Sequence, residues 1–357
     1  MTALARLIAG RIRLSGPMRL DEYMQLCLLH PEHGYYATRD PFGSVGDFIT
    51  APEISQMFGE MIGLALAQTW LDQGSPAPFT LAEIGPGRGT LMADILRAIR
   101  IVPGMAEAAR VTLVEASPHL RRVQRERLGE ATHLDQVAQL PEGPLFLIAN
   151  EFFDALPIRQ FQRRAQDWAE RMVALTPEGD LHFALAPADE AIAATLPLVP
   201  EGTVIELCPE AAPIAAQIAG RIAGHGGCAI FIDYGNWRGQ GDTLQALRRH
   251  QPEDPLASPG DADLTAHVDF APLAAAAHGA GARVSRMGAQ GAWLRHLGIE
   301  ARAQRLAQAG DAGAMAALHR LTAPGEMGHL FKVLAIWARH APVPLGFEPL
   351  DKDAHDA

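Results

Sequence analysis

The densest chemical signal in the chain is Glu83-Ile84-Gly85-Pro86-Gly87-Arg88-Gly89. Glycines at alternate positions after an apolar run let the backbone turn tightly and approach a ligand without side-chain collision. Spacing alone does not name that ligand: a dinucleotide-binding G-x-G-x-x-G would place its third glycine where Thr90 stands, and families vary. Two carboxylates narrow the choice. Glu115 ends the next apolar run, where an acid grips both hydroxyls of a ribose, a group that NAD and S-adenosylmethionine share. Glu83, just ahead of the first glycine, suits the ammonium of a methionine moiety and would repel a pyrophosphate. Together they favour S-adenosylmethionine, held by Glu83, Gly85, Gly87, Gly89 and Glu115. The competing structural readings are a loop-bracing carboxylate for Glu83 and a solvated strand end for Glu115.

Such residues need a parallel sheet to bring them to neighbouring strand ends, and the apolar runs supply one. Phe79 to Ile84, Val111 to Val114, Leu145 to Ala149 and Cys228 to Ile232 read as strands. The third runs into Asn150-Glu151 and the fourth into Asp233-Tyr234-Gly235. Continuous apolar runs suit central strands covered on both faces. Thr90 is placed to cap the following helix, on which Leu91, Ile95 and Ile99 share a face. Leu330 to Trp337 reads as a last strand. The expected class is therefore α/β and Rossmann-like. Residues 1–75 read as an amino-terminal helical cap with a Gly-rich loop that covers the cofactor, and residues 76–357 as the core. Within the core, 157–207 reads as an antiparallel insertion turning at Pro177-Glu178-Gly179-Asp180, and 236–325 as a loop and helical insertion. Its first part, Asn236 to His267, is expected to be a long functional loop.

Several motifs in combination carry a family resemblance. His33-Gly34-Tyr35-Tyr36, Gly46-Asp47-Phe48-Ile49-Thr50-Ala51-Pro52-Glu53-Ile54-Ser55, the glycine loop, Asn150-Glu151-Phe152-Phe153-Asp154-Ala155-Leu156-Pro157 and Asp233-Tyr234-Gly235 span nearly the whole chain. In this series the chain resembles the mitochondrial-dysfunction-protein-A family of class I methyltransferases, which includes an arginine methyltransferase-like assembly factor of respiratory complex I. The resemblance implies a seven-stranded sheet with a reversed last strand. It further implies symmetric dimethylation of arginine on a protein, an assignment belonging to the mitochondrial branch and extrapolated to bacterial relatives.

Arginine is a poor nucleophile because its charge is delocalised and its pKa exceeds about 12. Carboxylates that hold the guanidinium bidentately bias electron density towards the reacting nitrogen, and methyl transfer needs an in-line approach. Asn150, Glu151 and Asp154 follow a central strand, where open α/β sheets place their ligands, and are the catalytic candidates. The alternative is that Glu151 and Asp154 brace the turn before Pro157 by accepting backbone N–H groups. Phe152 and Phe153 either frame the ligands or pack in the core. Thr50 and Pro52, with Asp47 and Glu53, fold over the cofactor or form an ordinary helix entry. His267 and Asp269 lie near the substrate, or Thr265 or Asp269 caps the helix beginning near Pro272.

Bulk properties exclude other classes. Nearly half of the 357 residues are hydrophobic, enough for a sizeable core, and no apolar run approaches the ~20 residues of a spanning helix. A net charge of −11 argues against general nucleic-acid affinity. Cys27, Cys208 and Cys228 form neither a disulfide framework nor a zinc spacing, which suits a reducing compartment. Arg6, Arg11, Arg13 and Arg19 precede the first acid, as in mitochondrial transit peptides, but Leu4, Leu7, Ile8 and Ile12 at helical spacing favour a folded surface helix. Composition favours a bacterial cytoplasmic protein over one of the mitochondrial matrix. The expected partner is a protein presenting arginine, such as a complex I subunit. A homodimer, a small-molecule methyltransferase, and an assembly or scaffold protein that retains the cofactor site stay open. A nicotinamide-dependent oxidoreductase explains neither Glu83 nor Asn150-Glu151.

Overall fold

Six consecutive buried residues in Phe79–Ile84, and six again in Leu145–Asn150, mark strands covered on both faces. The computed structural model describes residues 2–38 and 50–350, so Asp47 and its neighbours in the Gly-rich loop lie outside the described residues. The chain forms two compact units, each assembled from separate stretches. One takes in residues 50–153, 212–237 and 268–350; the other takes in 2–38, 154–211 and 238–267. Among the described residues, no helix is long and apolar enough to cross a membrane.

The first unit carries the large sheet. Its principal strands are β1 (Phe79–Ile84), β2 (Ala109–Val114), β3 (Thr132–Leu134), β4 (Leu145–Asn150), β5 (Gly227–Asn236), β6 (Arg283–Val284) and β7 (Phe331–Trp337). They run in the order β3-β2-β1-β4-β5-β7-β6. The first five are parallel neighbours, whereas β7 lies antiparallel to both β5 and β6. Two short strands, Val268–Asp269 and Gly288–Ala289, add to β5 and β7. This is the class I methyltransferase sheet with its reversed last strand.

Helices Gln56–Asp72 and Thr90–Ile99 cover this sheet, burying Phe58, Ile62, Leu66, Leu91, Ile95 and Ile99 with Phe146, Ile148 and Ile230. Each such side chain contributes roughly 1.5–3 kcal/mol. The two helices approach closely because Gly59 faces Asp94: a Cβ there would lie 2.5 Å from the Asp94 Cβ. Helix Gln56–Asp72 thus packs with the sheet-bearing unit, although its place in the sequence suggested the amino-terminal region. Thr90 does not cap the helix after the glycines. It is the first helical residue, and the cap position is Gly89 in a left-handed conformation with φ 75°.

The second unit centres on an antiparallel sheet. Met18–Arg19, Asp167–Leu175, Arg159–Arg164 and Val204–Leu207 are neighbours in that order, and Leu181–Pro187 pairs with Asp167–Leu175. The expected turn is present: Thr176 and Asp180 close it through a 2.8 Å backbone bond, with Gly179 at φ 95°. Helix Ala3–Ser15 buries Leu4, Ile8 and Ile12 and leaves Arg6, Arg11 and Arg13 exposed. Leu4 and Ile8 join Tyr23, Cys27, Ile158, Val173 and Leu264 in one core cluster. The stretch 236–267 is not a plain loop. Gln245–Arg248, Gln251–Glu253 and Asp263–Thr265 form a three-stranded antiparallel sheet, whose hairpin turns on Arg249 and His250 at φ 52° and 60°. Such turns usually carry Gly or Asn, so this one leaves no sequence signal.

Candidate cofactor and acceptor site

Parallel register brings the expected residues of the sheet-bearing unit to one edge. Ile84 lies beside Val114 and Ala149, so Gly85, Glu115 and Asn150 leave adjacent strands at the same level. Asn150 pairs with Ile232, placing Asp233 at the next level. The Gly85 N–H donates to the Val114 carbonyl at 3.0 Å, fastening the glycine turn to β2. Gly85, Gly87 and Gly89 all adopt left-handed φ, at 65°, 51° and 75°. A side chain is strained at these positions, so all three present only backbone.

Glu83 and Glu115 are both buried, at 3% and 9% exposure. Burial pushes the Glu83 carboxyl well above the ordinary carboxylate range, against a hydrogen bond from the Met92 backbone. Its Oε2 has no hydrogen-bond partner. A buried acceptor without a donor is costly, and the ammonium of a methionine moiety supplies three donors and a compensating charge. Burial also raises the Glu115 pKa. There Oε1 accepts the Ser117 N–H at 2.7 Å and Oε2 accepts from Gln124 Nε2 at 3.3 Å. These bonds aim the carboxylate and leave lone pairs for a diol. Gln124 Nε2 also donates to the Gly87 carbonyl at 2.7 Å, tying acid to turn. The donor set fits S-adenosylmethionine.

Segment 50–54 is fastened at two points in the same unit. The Ala51 N–H donates to Glu151 Oε1 at 3.1 Å, and Thr90 Oγ1 donates to Glu53 Oε1 at 2.6 Å. Arg88 adds an ion pair to Glu53 at 4.0 Å, and Arg127 also bonds Thr90. Thr50 and Pro52 are buried in this strap. Thr50 stands at the cap position of Ala51–Ile54 and makes no side-chain cap bond, which removes the simplest structural role for its hydroxyl.

Glu151 has φ 51°, a left-handed conformation that costs a non-glycine residue about 1–3 kcal/mol. Its Oε1 also accepts from Asn150 Nδ2 at 3.1 Å, while Asn150 Oδ1 is a buried acceptor without a hydrogen-bond partner. Asn150 and Glu151 are thus brought together. Asp154, the third candidate, belongs to the second unit. Within that unit, the Ala266 N–H donates to the Asp154 carbonyl at 2.9 Å. There the hydroxyl of the half-buried Tyr36 donates to Asp263 at 2.8 Å; burial, then Asp263 and Asp154, push its pKa well up. Asp269 caps helix Phe270–Gly279 by accepting the Ala271 N–H at 3.3 Å, the structural alternative for that residue. The His267 N–H donates to Thr243 Oγ1 at 2.8 Å.

Sequence reasoning left Phe152 between ligand framing and core packing and assigned Asp233 no role. Phe152 lies against the glycine turn: a Cβ on Gly85 would stand 2.9 Å from Phe152 Cδ2. Phe153 instead packs on Phe231, at 4.9 Å between ring centres. Asp233 accepts the Phe152 and Phe153 N–H groups at 3.1 and 2.9 Å. The signal for Asp233 was available, since in the sequence it follows the continuous apolar run Cys228 to Ile232.

Comparison with known proteins agrees with this geometry. A family model described as S-adenosyl-L-methionine-dependent methyltransferase matches residues 61–288. The chain belongs to this family of S-adenosyl-L-methionine-dependent methyltransferases, and S-adenosylmethionine is its cofactor. Its relatives include the mitochondrial protein arginine methyltransferase NDUFAF7 of Rattus norvegicus, 36% identical over 371 residues, covering 94% of this chain and 84% of that protein. The Homo sapiens protein of the same name is 34% identical over 332 residues, covering 85% and 75%. A solved Burkholderia thailandensis protein, described as a candidate methyl transferase and bound to S-adenosyl-homocysteine, is 32% identical, with TM-score 0.86 over 96% of this chain and 94% of its own.

Proposed function

We propose that this methyltransferase modifies arginine side chains of a protein, with symmetric dimethylarginine as the product. The observation that carries the reading is Glu151, a carboxylate held in a left-handed turn at the end of a central strand and fixed by Ala51 and Asn150. The names of the NDUFAF7 relatives support the acceptor class. Thr50, Pro52, Glu83, Gly85, Gly87, Gly89 and Glu115 hold the cofactor, which supplies a sulfonium-bound methyl group. Glu151 accepts N–H bonds from the guanidinium and draws positive charge away from the nitrogen that attacks. Bound there, the cofactor would supply its methyl group to that nitrogen, and the proton the nitrogen loses would pass along its N–H bond to the Glu151 carboxylate. Asn150 Oδ1 accepts a second guanidinium N–H. Asp154 is the third catalytic candidate.

A complex I subunit is the first acceptor to test, following the family resemblance. Three free cysteines suit a reducing compartment, either the bacterial cytoplasm expected from composition or the mitochondrial setting in the relatives' names. The test is mass spectrometry of candidate acceptors incubated with enzyme and methyl-labelled S-adenosylmethionine. Symmetric dimethylarginine is expected with wild type and not with Glu151→Gln. Label on another residue type, or undiminished transfer by the variant, refutes the assignment.

A further inference from the structure

We propose that Asp233 is a positioning residue that sets the Glu151 carboxylate through the backbone of the turn after β4. The proposal rests on the reading of Glu151 as the acceptor-binding carboxylate. Asp233 is wholly buried within β5. Its Oδ2 accepts the N–H groups of Phe152 at 3.1 Å and Phe153 at 2.9 Å, and its Oδ1 accepts the Tyr234 N–H at 3.0 Å. The Glu151 N–H donates to the carbonyl of Ile232, the residue before Asp233, at 2.9 Å. Three successive amides of the turn therefore end on one point of β5.

The bonds have a consequence for geometry. Glu151 at φ 51° occupies a conformation that a side chain rarely adopts, and it persists only where its surroundings over-determine it. The two amides that follow Glu151 are the ones Asp233 holds. Releasing them lets the turn relax and swings the Cα–Cβ bond of Glu151 away from its present line. The Phe152 ring lies against Gly85, whose own N–H is held by the Val114 carbonyl, so the cofactor turn is fastened independently of Asp233. Packing explains the neighbouring glycine of the Asp233-Tyr234-Gly235 motif, because a Cβ on Gly235 would come within 2.0 Å of the Val268 carbonyl oxygen. It does not explain the acid. An asparagine of the same shape has one acceptor and one donor end, so it forfeits either the paired amides or Tyr234.

The test is a double-mutant cycle of Asp233→Asn and Glu151→Gln, read as kcat on an arginine peptide that wild type methylates, with S-adenosylhomocysteine affinity measured by calorimetry. Asp233→Asn is expected to lower kcat about 100-fold in the wild-type background and less than about threefold in the Glu151→Gln background. S-adenosylhomocysteine affinity should stay within about threefold throughout. Equal losses in both backgrounds, or loss of affinity together with kcat, would make Asp233 merely structural and overturn the proposal. Should Asp233→Asn fail to fold, hydrogen exchange in wild type decides: the Phe152 and Phe153 amides must exchange as slowly as those of β4, and fast exchange sinks the idea. If Glu151→Gln alone leaves transfer intact, the role of Glu151 fails, and the positioning role with it. Slow exchange at 152 and 153 would then identify the failure as one of chemistry, not of the turn.

Discussion

The strand-end edge of the large sheet and the antiparallel sheet around Arg159 treat buried polar groups in opposite ways. In the sheet-bearing unit, Glu83 Oε2 and Asn150 Oδ1 are buried acceptors without hydrogen-bond partners, and left-handed backbone gathers at Gly85, Gly87, Gly89 and Glu151. In the antiparallel sheet of the other unit, Arg159 makes two 2.7 Å bonds to Glu170, and Gln160 bonds both Glu206 and Asp242. Arg171 joins the same network through Gln160 and Asp242. The second arrangement is satisfied from within and needs no ligand. The first carries cost in the free protein, and such cost is retained where a ligand supplies the missing partners.

Four substitutions would break or sharpen that contrast. Gly87→Val should have the largest effect, because a β-branched residue is strained at φ 51°; titration should show S-adenosylmethionine affinity reduced at least about 1000-fold. An assembly or scaffold role would survive that variant, so partner capture by Gly87→Val separates binding from catalysis. Glu151→Gln should lower kcat about 100-fold with cofactor affinity unchanged, a split that steady-state kinetics resolves. Glu83→Gln should weaken the cofactor about tenfold by removing the partner of its ammonium.

The Glu83 variant also has a pH signature. The folded carboxyl lies well above its ordinary value of 4.5, so the folded state keeps a proton that the unfolded chain loses. Stability of the free protein therefore falls as pH rises from that value towards the folded one, and Glu83→Gln should flatten the fall. Thermal melts across pH 4–8 without and with cofactor would show it; identical slopes for variant and wild type would contradict the burial argument. Glu170→Ala should have the smallest effect on the cofactor, below about twofold in affinity. It should still cost about 3 kcal/mol of stability, since it strands Arg159 in a largely buried pair.

Much of this was legible in the sequence because the relevant signals are local. Continuous apolar runs located β1, β2, β4, β5 and β7, and acids at their ends located Glu83 and Glu115. The glycine turn was legible for the same reason. The helix cap at Gly89 was not, because a favourable capping residue, Thr90, stands next to it and bonds Glu53 instead. Nor was the assembly of each unit from separate stretches, which depends on long-range contacts such as that of Tyr36 with Asp263. Asp233 looked like one more motif residue because its importance lies in amides distant in sequence.

The central claim is that the strand-end acids and glycine turn of the sheet-bearing unit hold S-adenosylmethionine. Calorimetric titration of wild type and Glu115→Ala with S-adenosylmethionine, and with NAD as control, tests it most directly. The account predicts saturable binding of S-adenosylmethionine alone, weakened about tenfold or more in the variant. Unchanged affinity in Glu115→Ala, or binding of NAD in its place, would contradict it.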